Sequence, residues 1–210
     1  MLLTSHQSWN DFGRKGKNVT NTKRVIILKG SPREKGNSAI LAEQVARGAR
    51  AAGAEVESFS LHSMDIRPCD ACDACQETVD GDCIIQDDMQ ILYPKLREAD
   101  AIIISSPIYW FSINAQTKLC IDRWYAYGSA ENNQLSGKQF GIVLTYEDAD
   151  PFASGAVNAL RTYQDLFHYI HADLVGFVYG SVKNVGDVQK QPDLLEKAFQ
   201  LGLKLGIPAS

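Results

Sequence analysis

Three stretches of the chain are apolar almost without polar alternation: residues 25–28, 101–106 and 140–145. Successive side chains of a strand point to opposite faces, so an unbroken apolar run marks a strand buried on both faces, as in a parallel sheet covered by helices. Residues 54–61 mix charged and apolar positions and predict an edge strand, and 174–179 gives a fifth. Between these runs the apolar period lengthens to that of a helix. Leu41, Val45, Gly48, Ala49 and Ala52 share one face of a helix over 39–52 that Gly53 stops, and Met89, Leu92 and Leu96 mark a second, opened by Asp87 and Asp88. Further helices are predicted over 115–126, 155–170 and 194–205. Strands alternating with helices predict an α/β protein, a three-layer α/β/α domain with a five-stranded parallel sheet in the order 2-1-3-4-5. Residues 1–22 show no sustained period and are read as an N-terminal arm, tethered if Trp9 and Phe12 find a surface; residues 23–210 are read as one domain with a Cys-rich insert at 62–86.

In a doubly wound sheet of this order the ligand lies beyond the carboxyl ends of the first and third strands, where the order reverses. The informative loops therefore begin at Gly30, Ser105 and Thr145. The first reads Gly-Ser-Pro-Arg-Glu-Lys-Gly-Asn-Ser over 30–38. Gly30 and Gly36 permit tight turns, and Asn37 or Ser38 can cap the helix that follows. A helix start offers free N–H groups and about +0.5 of partial charge. Ser31 and Ser38 add hydroxyls and Arg33 a planar guanidinium fork, so an anion would be stabilised here. Spacing excludes two other phosphate loops. Five residues separate Gly30 from Gly36 and Asn37 stands where a nucleoside triphosphatase loop has lysine, while Gly30-Ser-Pro is not a dinucleotide G-x-G. A plain strand-to-helix turn remains the alternative reading of this loop taken alone.

Composition narrows the function classes. With 210 residues, 45% of them hydrophobic and 22% charged, the chain has the apolar surface for a full core. A net charge of −4 without a basic stripe argues against nucleic acid as a partner. No apolar run approaches the length of a membrane span, and the start Met-Leu-Leu-Thr-Ser-His is too short for a signal peptide. The expected location is the cytoplasm, where cysteines stay reduced unless they hold a metal or do redox work. The histidines His6, His62, His168 and His171 fall outside the switch-point loops, and no hydrolase signature is present. Cys120, between Leu119 and Ile121, is read as a core residue, and Lys118 and Arg123 as helix residues in salt bridges.

The motifs together resemble the NADPH-dependent FMN reductase family of flavodoxin-like proteins and, within it, the iron-sulfur flavoproteins. The resemblance rests on Gly-Ser-Pro-Arg-x-x-Gly-Asn-Ser at 30–38, Cys-x2-Cys-x2-Cys-x7-Cys at 69–83, Asp87-Asp88-Met89, and Ser106-Pro-Ile-Tyr109 followed by Lys118 and Ile121-Asp-Arg123. It covers residues 24–206. It implies FMN bound non-covalently, with Ser31, Arg33, Asn37 and Ser38 at the phosphate, Pro107, Ile108, Tyr109 and Trp110 along the isoalloxazine ring, and Thr145 and Tyr146 closing the other side. The aromatic run at 109–111 has the alternative reading of a hydrophobic loop plug. The third loop, Tyr-Glu-Asp-Ala-Asp-Pro over 146–151, is more acidic and less glycine-rich than the family pattern. The activity implied is an NAD(P)H-dependent flavin oxidoreductase passing electrons to a quinone-like small molecule or a protein acceptor, assembled as a homodimer or homotetramer.

The same resemblance implies that Cys69, Cys72, Cys75 and Cys83 hold a [4Fe-4S] cluster. Three cysteines at two-residue gaps with a fourth further on suit such a cluster. Zinc is the rival, although its usual sites use two separated Cys-x-x-Cys pairs; disulfides or unligated thiols are further alternatives. Asp70, Asp73, Glu77, Asp80 and Asp82 surround the cysteines with negative charge that would lower a cluster's potential. Two other functions stay open on the sequence: an electron-transfer module with no substrate of its own, and a flavin-free domain whose cysteines hold structural zinc.

Overall fold

The computed structural model describes residues 22–77 and 83–208. The predicted arm, with Trp9 and Phe12, lies outside the described residues, as do positions 78–82 of the insert. In chain order the strands are β1 (Arg24–Lys29), β2 (Glu55–Ser60), β3 (Ala101–Tyr109), β4 (Ser112–Ile113), β5 (Gln139–Tyr146) and β6 (Asp173–Ser181). The helices are α1 (Asn37–Ala51), α2 (Ala74–Glu77), α3 (Met89–Glu98), α4 (Ala115–Asp122), α5 (Ala156–Tyr169) and α6 (Pro192–Gly206).

The sheet runs β2-β1-β3-β5-β6 with every neighbour parallel, the doubly wound order expected of a flavodoxin-like protein. The sixth strand is the difference: β4 folds back antiparallel on the end of β3, pairing Ile108 with Ile113 and Tyr109 with Ser112. Alternation along β1 and β3 divides the core in two. Ile26, Leu28, Ile102 and Ile104 face one layer with Met89, Leu92, Leu96, Trp124 and Phe167, whereas Val25, Ile27, Ala101 and Ile103 face the other with Leu41, Val45, Ala198 and Leu205. The second layer is tight because α1 and α6 touch backbone to backbone. A Cβ on Gly48 would lie 2.0 Å from the Phe199 carbonyl oxygen, so a larger residue would force the helices apart. β2 is the exposed edge its mixed sequence predicts.

The helix expected over 115–126 is α-helical to Asp122 and continues over Arg123–Tyr127 as a 3-10 turn. The tightening serves burial: Arg123, Trp124 and Tyr127 all turn inward, and the Tyr93 hydroxyl donates to the Arg123 carbonyl at 3.1 Å. Cys120 is fully buried, and burial pushes its thiol up to about 12, in keeping with a core residue. Lys118 pairs with Asp122 one turn on.

Candidate functional site

Strand register brings the three predicted loops to one end of the sheet. The Gly30 N–H donates to the Ser105 carbonyl at 2.8 Å, and Pro107 lies opposite Thr145 across the β3–β5 pair. Beyond these ends lies a single cleft lined by Ser31, Arg33, Asn37 and Ser38 from the first loop, Pro107, Ile108 and Tyr109 from the second, and Thr145 and Tyr146 from the third. α1 begins at Asn37, with Gly36 as its N-cap, no side-chain cap and no acidic residue in its first turn. Its first N–H groups are therefore available to an anion, favoured by the helix dipole. Gly36 has a steric reason: a Cβ there would lie 3.0 Å from the Arg33 carbonyl and 3.1 Å from Ser31 Oγ, so a larger residue would press on the loop's own turn. The Arg33 guanidinium is exposed and without a protein partner among the described residues. A turn of this shape at a helix start, with a free guanidinium beside it, fits the phosphate of FMN.

Two of the expected residues behave differently. Asn37 spends its side chain on the protein: its Oδ1 accepts from the Gly186 N–H at 2.9 Å and the Val188 N–H at 3.3 Å, while its Nδ2 donates to the Asn184 carbonyl at 2.9 Å. It holds the loop after β6 over the cleft and does not cap α1, leaving its backbone N–H for an anion. Trp110 is 93% exposed and is not among the residues lining the cleft. It sits with Phe111 at the tip of the β3–β4 hairpin, both in the left-handed region at φ 46° and 63°. Neither is a residue that adopts that region freely, and each costs about 1–2 kcal/mol there. α5 holds the tip in place: Asn158 donates to the Phe111 carbonyl at 3.1 Å, and a Cβ on Gly155 would collide with Phe111 at 2.4 Å.

Several contributors carried no sequence signal of their own. Lys183 and Glu147 line the cleft from the loops after β6 and β5. Asn114, buried at the end of β4, staples the first loop to the second: its Nδ2 donates to the Gly30 carbonyl, and its Oδ1 accepts from Thr117 at 2.6 Å and Ser106 at 3.0 Å. Burial pushes the Tyr146 phenol up, reinforced by Tyr179 and Asp150, so the side chain stays neutral.

The cysteines form a second region. Cys69 and Cys72 are exposed, Cys75 and Cys83 half-buried, and none is in a disulfide. Ala71 and Asp73 are left-handed at φ 50° and 57°, winding the chain tightly between the first three thiols. Beneath them lies an ion pair with both side chains wholly buried, Arg123 Nη1 to Asp87 Oδ2 at 2.5 Å. The same guanidinium donates to the Arg67 carbonyl at 3.0 Å and to Cys83 Sγ at 3.2 Å, while its Nε has no partner. Burial would raise the Asp87 carboxyl, but the Arg123 hydrogen bond and the N–H groups of Arg67 and Met89 outweigh it and hold the group below the usual carboxylate range. Among the described residues no three His, Cys, Asp or Glu side chains converge on a metal position. The four thiols have the sequence spacing and the soft-donor chemistry of an iron-sulfur site, and Cys83 accepts from the buried guanidinium.

Comparison with known proteins decides the family. The profile described as NADPH-dependent FMN reductase matches residues 23–183. The chain belongs to that family. FMN is accordingly its cofactor, with NAD(P)H as co-substrate. An iron-sulfur flavoprotein of Archaeoglobus fulgidus is 30% identical over 87% of this chain and 78% of its own length. Another, from Methanocaldococcus jannaschii, is 38% identical over 48% of this chain, and the match spans 51% of that relative. A solved NAD(P)H:quinone oxidoreductase from Methanothermobacter marburgensis superposes with a TM-score of 0.68 at 19% identity, covering 90% of this chain and 100% of that one, which bears on the fold. No helix among the described residues is long and apolar enough to cross a membrane.

Proposed function

We propose that the protein is an FMN-dependent oxidoreductase that takes electrons from NAD(P)H and passes them to a quinone-like or protein acceptor, with Cys69, Cys72, Cys75 and Cys83 holding a [4Fe-4S] cluster. The observation that carries the reading is the cleft, in which three strand-end loops meet an uncapped helix start. The Ser31 and Ser38 hydroxyls, the Arg33 guanidinium and the first N–H groups of α1 would bind the FMN phosphate, with Lys183 as a second cation at the rim. Pro107, Ile108 and Tyr109 would support one side of the ring, and Thr145 and Tyr146 the other. When bound, FMN supplies the hydride-accepting and electron-delivering chemistry. The residues bind and orient, and no side chain need act as acid or base.

The reading of 23–210 as one FMN-binding domain in a reducing cytoplasm belongs to the same proposal, as does a homodimer or homotetramer. Phe152, 79% exposed, is a large apolar side chain that a second copy would cover. The purified protein should show a flavin spectrum and catalyse steady-state oxidation of NADPH with a quinone. Loss of the flavin spectrum together with no NADPH oxidation after FMN is added would overturn the reading. Flavin reduction without turnover of any small acceptor would transfer it to a carrier serving a protein partner.

A further inference from the structure

We infer that Arg123 is the positioning residue of the cysteine segment, clamping both ends of the loop that carries the thiols and directing an N–H at the sulfur of Cys83. The inference rests on the cluster reading above. The cysteines lie between Arg67 and Asp87 in the chain, and the two flanks meet at the guanidinium. Nη1 reaches the Arg67 carbonyl, two residues before Cys69, at 3.0 Å, and Nη2 reaches Cys83 Sγ at 3.2 Å. Asp87 completes the neck by accepting from the Arg67 N–H at 3.0 Å, and Asp88 accepts from the Asp65 N–H at 2.8 Å. Gln90 fixes the far end, donating to the Cys83 carbonyl at 2.8 Å.

Both Nη groups reach the Asp87 carboxylate, and Nη2 is shared between it and the sulfur, 3.4 Å from Asp87 Oδ1 and 3.2 Å from Cys83 Sγ, a long contact to oxygen and a close one to sulfur. The Nε is buried without a hydrogen-bond partner, an arrangement that costs about 1–3 kcal/mol. A donor aimed at a ligand sulfur fixes the ligand and raises a cluster's reduction potential. Arg123 would thus oppose the acidic residues on the outer side of the same loop, Asp70, Asp73 and Glu77.

The test compares wild type with Arg123→Lys, which keeps the charge and loses the two-directional fork. The double variant Asp87→Asn/Arg123→Gln, free of an unpaired buried charge, serves if the lysine variant does not fold by circular dichroism. Each protein is reconstituted anaerobically with iron and sulfide and titrated redox-potentiometrically. The metal-free forms are alkylated with iodoacetamide, and each cysteine is followed by peptide mass spectrometry. The expected results are about a 10–100-fold loss of iron affinity and a tenfold or larger shift of the one-electron equilibrium toward the oxidised cluster, 59 mV. In the metal-free variant the alkylation rate of Cys83 should change at least tenfold, with that of Cys69 unchanged. Variants that load, titrate and alkylate like wild type would overturn the inference and leave the cluster standing. A wild type that takes up no iron would overturn the cluster reading and this inference with it.

Discussion

The cleft and the cysteine loop are assembled by different means. The cleft stands on the carboxyl ends of three parallel strands, so its loops are fixed by register and cross-braced by buried groups such as Asn114. The cysteine loop lies outside the sheet and is gathered at a buried ion pair braced by Asp88 and Gln90, with Cys69 and Cys72 in solvent. A site built on strand ends tolerates the loss of any one side-chain contact. A loop gathered at a single neck does not.

Removing the Asp87 charge should have the largest effect on stability. Asp87→Asn leaves Arg123 buried without its counter-ion, and breaking such a pair costs about 3–5 kcal/mol. Because the Asp87 carboxyl is held below its unfolded value of about 3.9, the contribution is fully present above that pH and is lost as pH falls through the folded value. Urea unfolding should therefore show wild type and variant far apart at neutral pH and converging in acid. A gap that persists unchanged into acid would contradict the pairing.

Gly30→Ala should cost less and strike the cleft. Its Cβ would stand 2.0 Å from Thr117 Oγ1 and 2.8 Å from Asn114 Oδ1, so the staple between the first two loops must shift, at about 1–3 kcal/mol. Chemical denaturation reads the loss, and FMN affinity should fall with it. The smallest effect is a gain. Trp110→Gly relieves a left-handed aromatic while surrendering almost no buried surface, and should raise stability by about 1 kcal/mol. A loss instead would mean that Trp110 is covered by a second copy, and light scattering would then show a larger species breaking up.

The sheet and the first loop were legible because their signals are local. Unbroken apolar runs give strands buried on both faces, and Gly30 to Ser38 gives a turn into a helix. The β3–β4 hairpin was hidden because its turn, Trp110-Phe111, contains none of the glycine or asparagine that such turns favour, and contacts from α5 impose it. Asn37 read as a cap or phosphate ligand, and its true partners lie at Asn184, Gly186 and Val188, more than 140 positions away. The Arg123–Asp87 pair, 36 positions apart, was invisible for the same reason: Arg123 read as a salt-bridging helix residue, with nothing to say that it is wholly buried or faces a cysteine.

The central claim is that the strand-end cleft binds FMN through its phosphate, and titration of flavin-free protein with FMN, followed by flavin fluorescence, tests it most directly. Wild type should bind saturably at one FMN per chain. Arg33→Ala should bind more weakly by about 1.5–3 kcal/mol, the worth of a charge-assisted hydrogen bond, with its unfolding midpoint in the absence of FMN unchanged because the side chain is exposed. Riboflavin, which lacks the phosphate, should bind both proteins equally. Equal FMN affinity in the two proteins, or no saturable binding by wild type, would contradict the account.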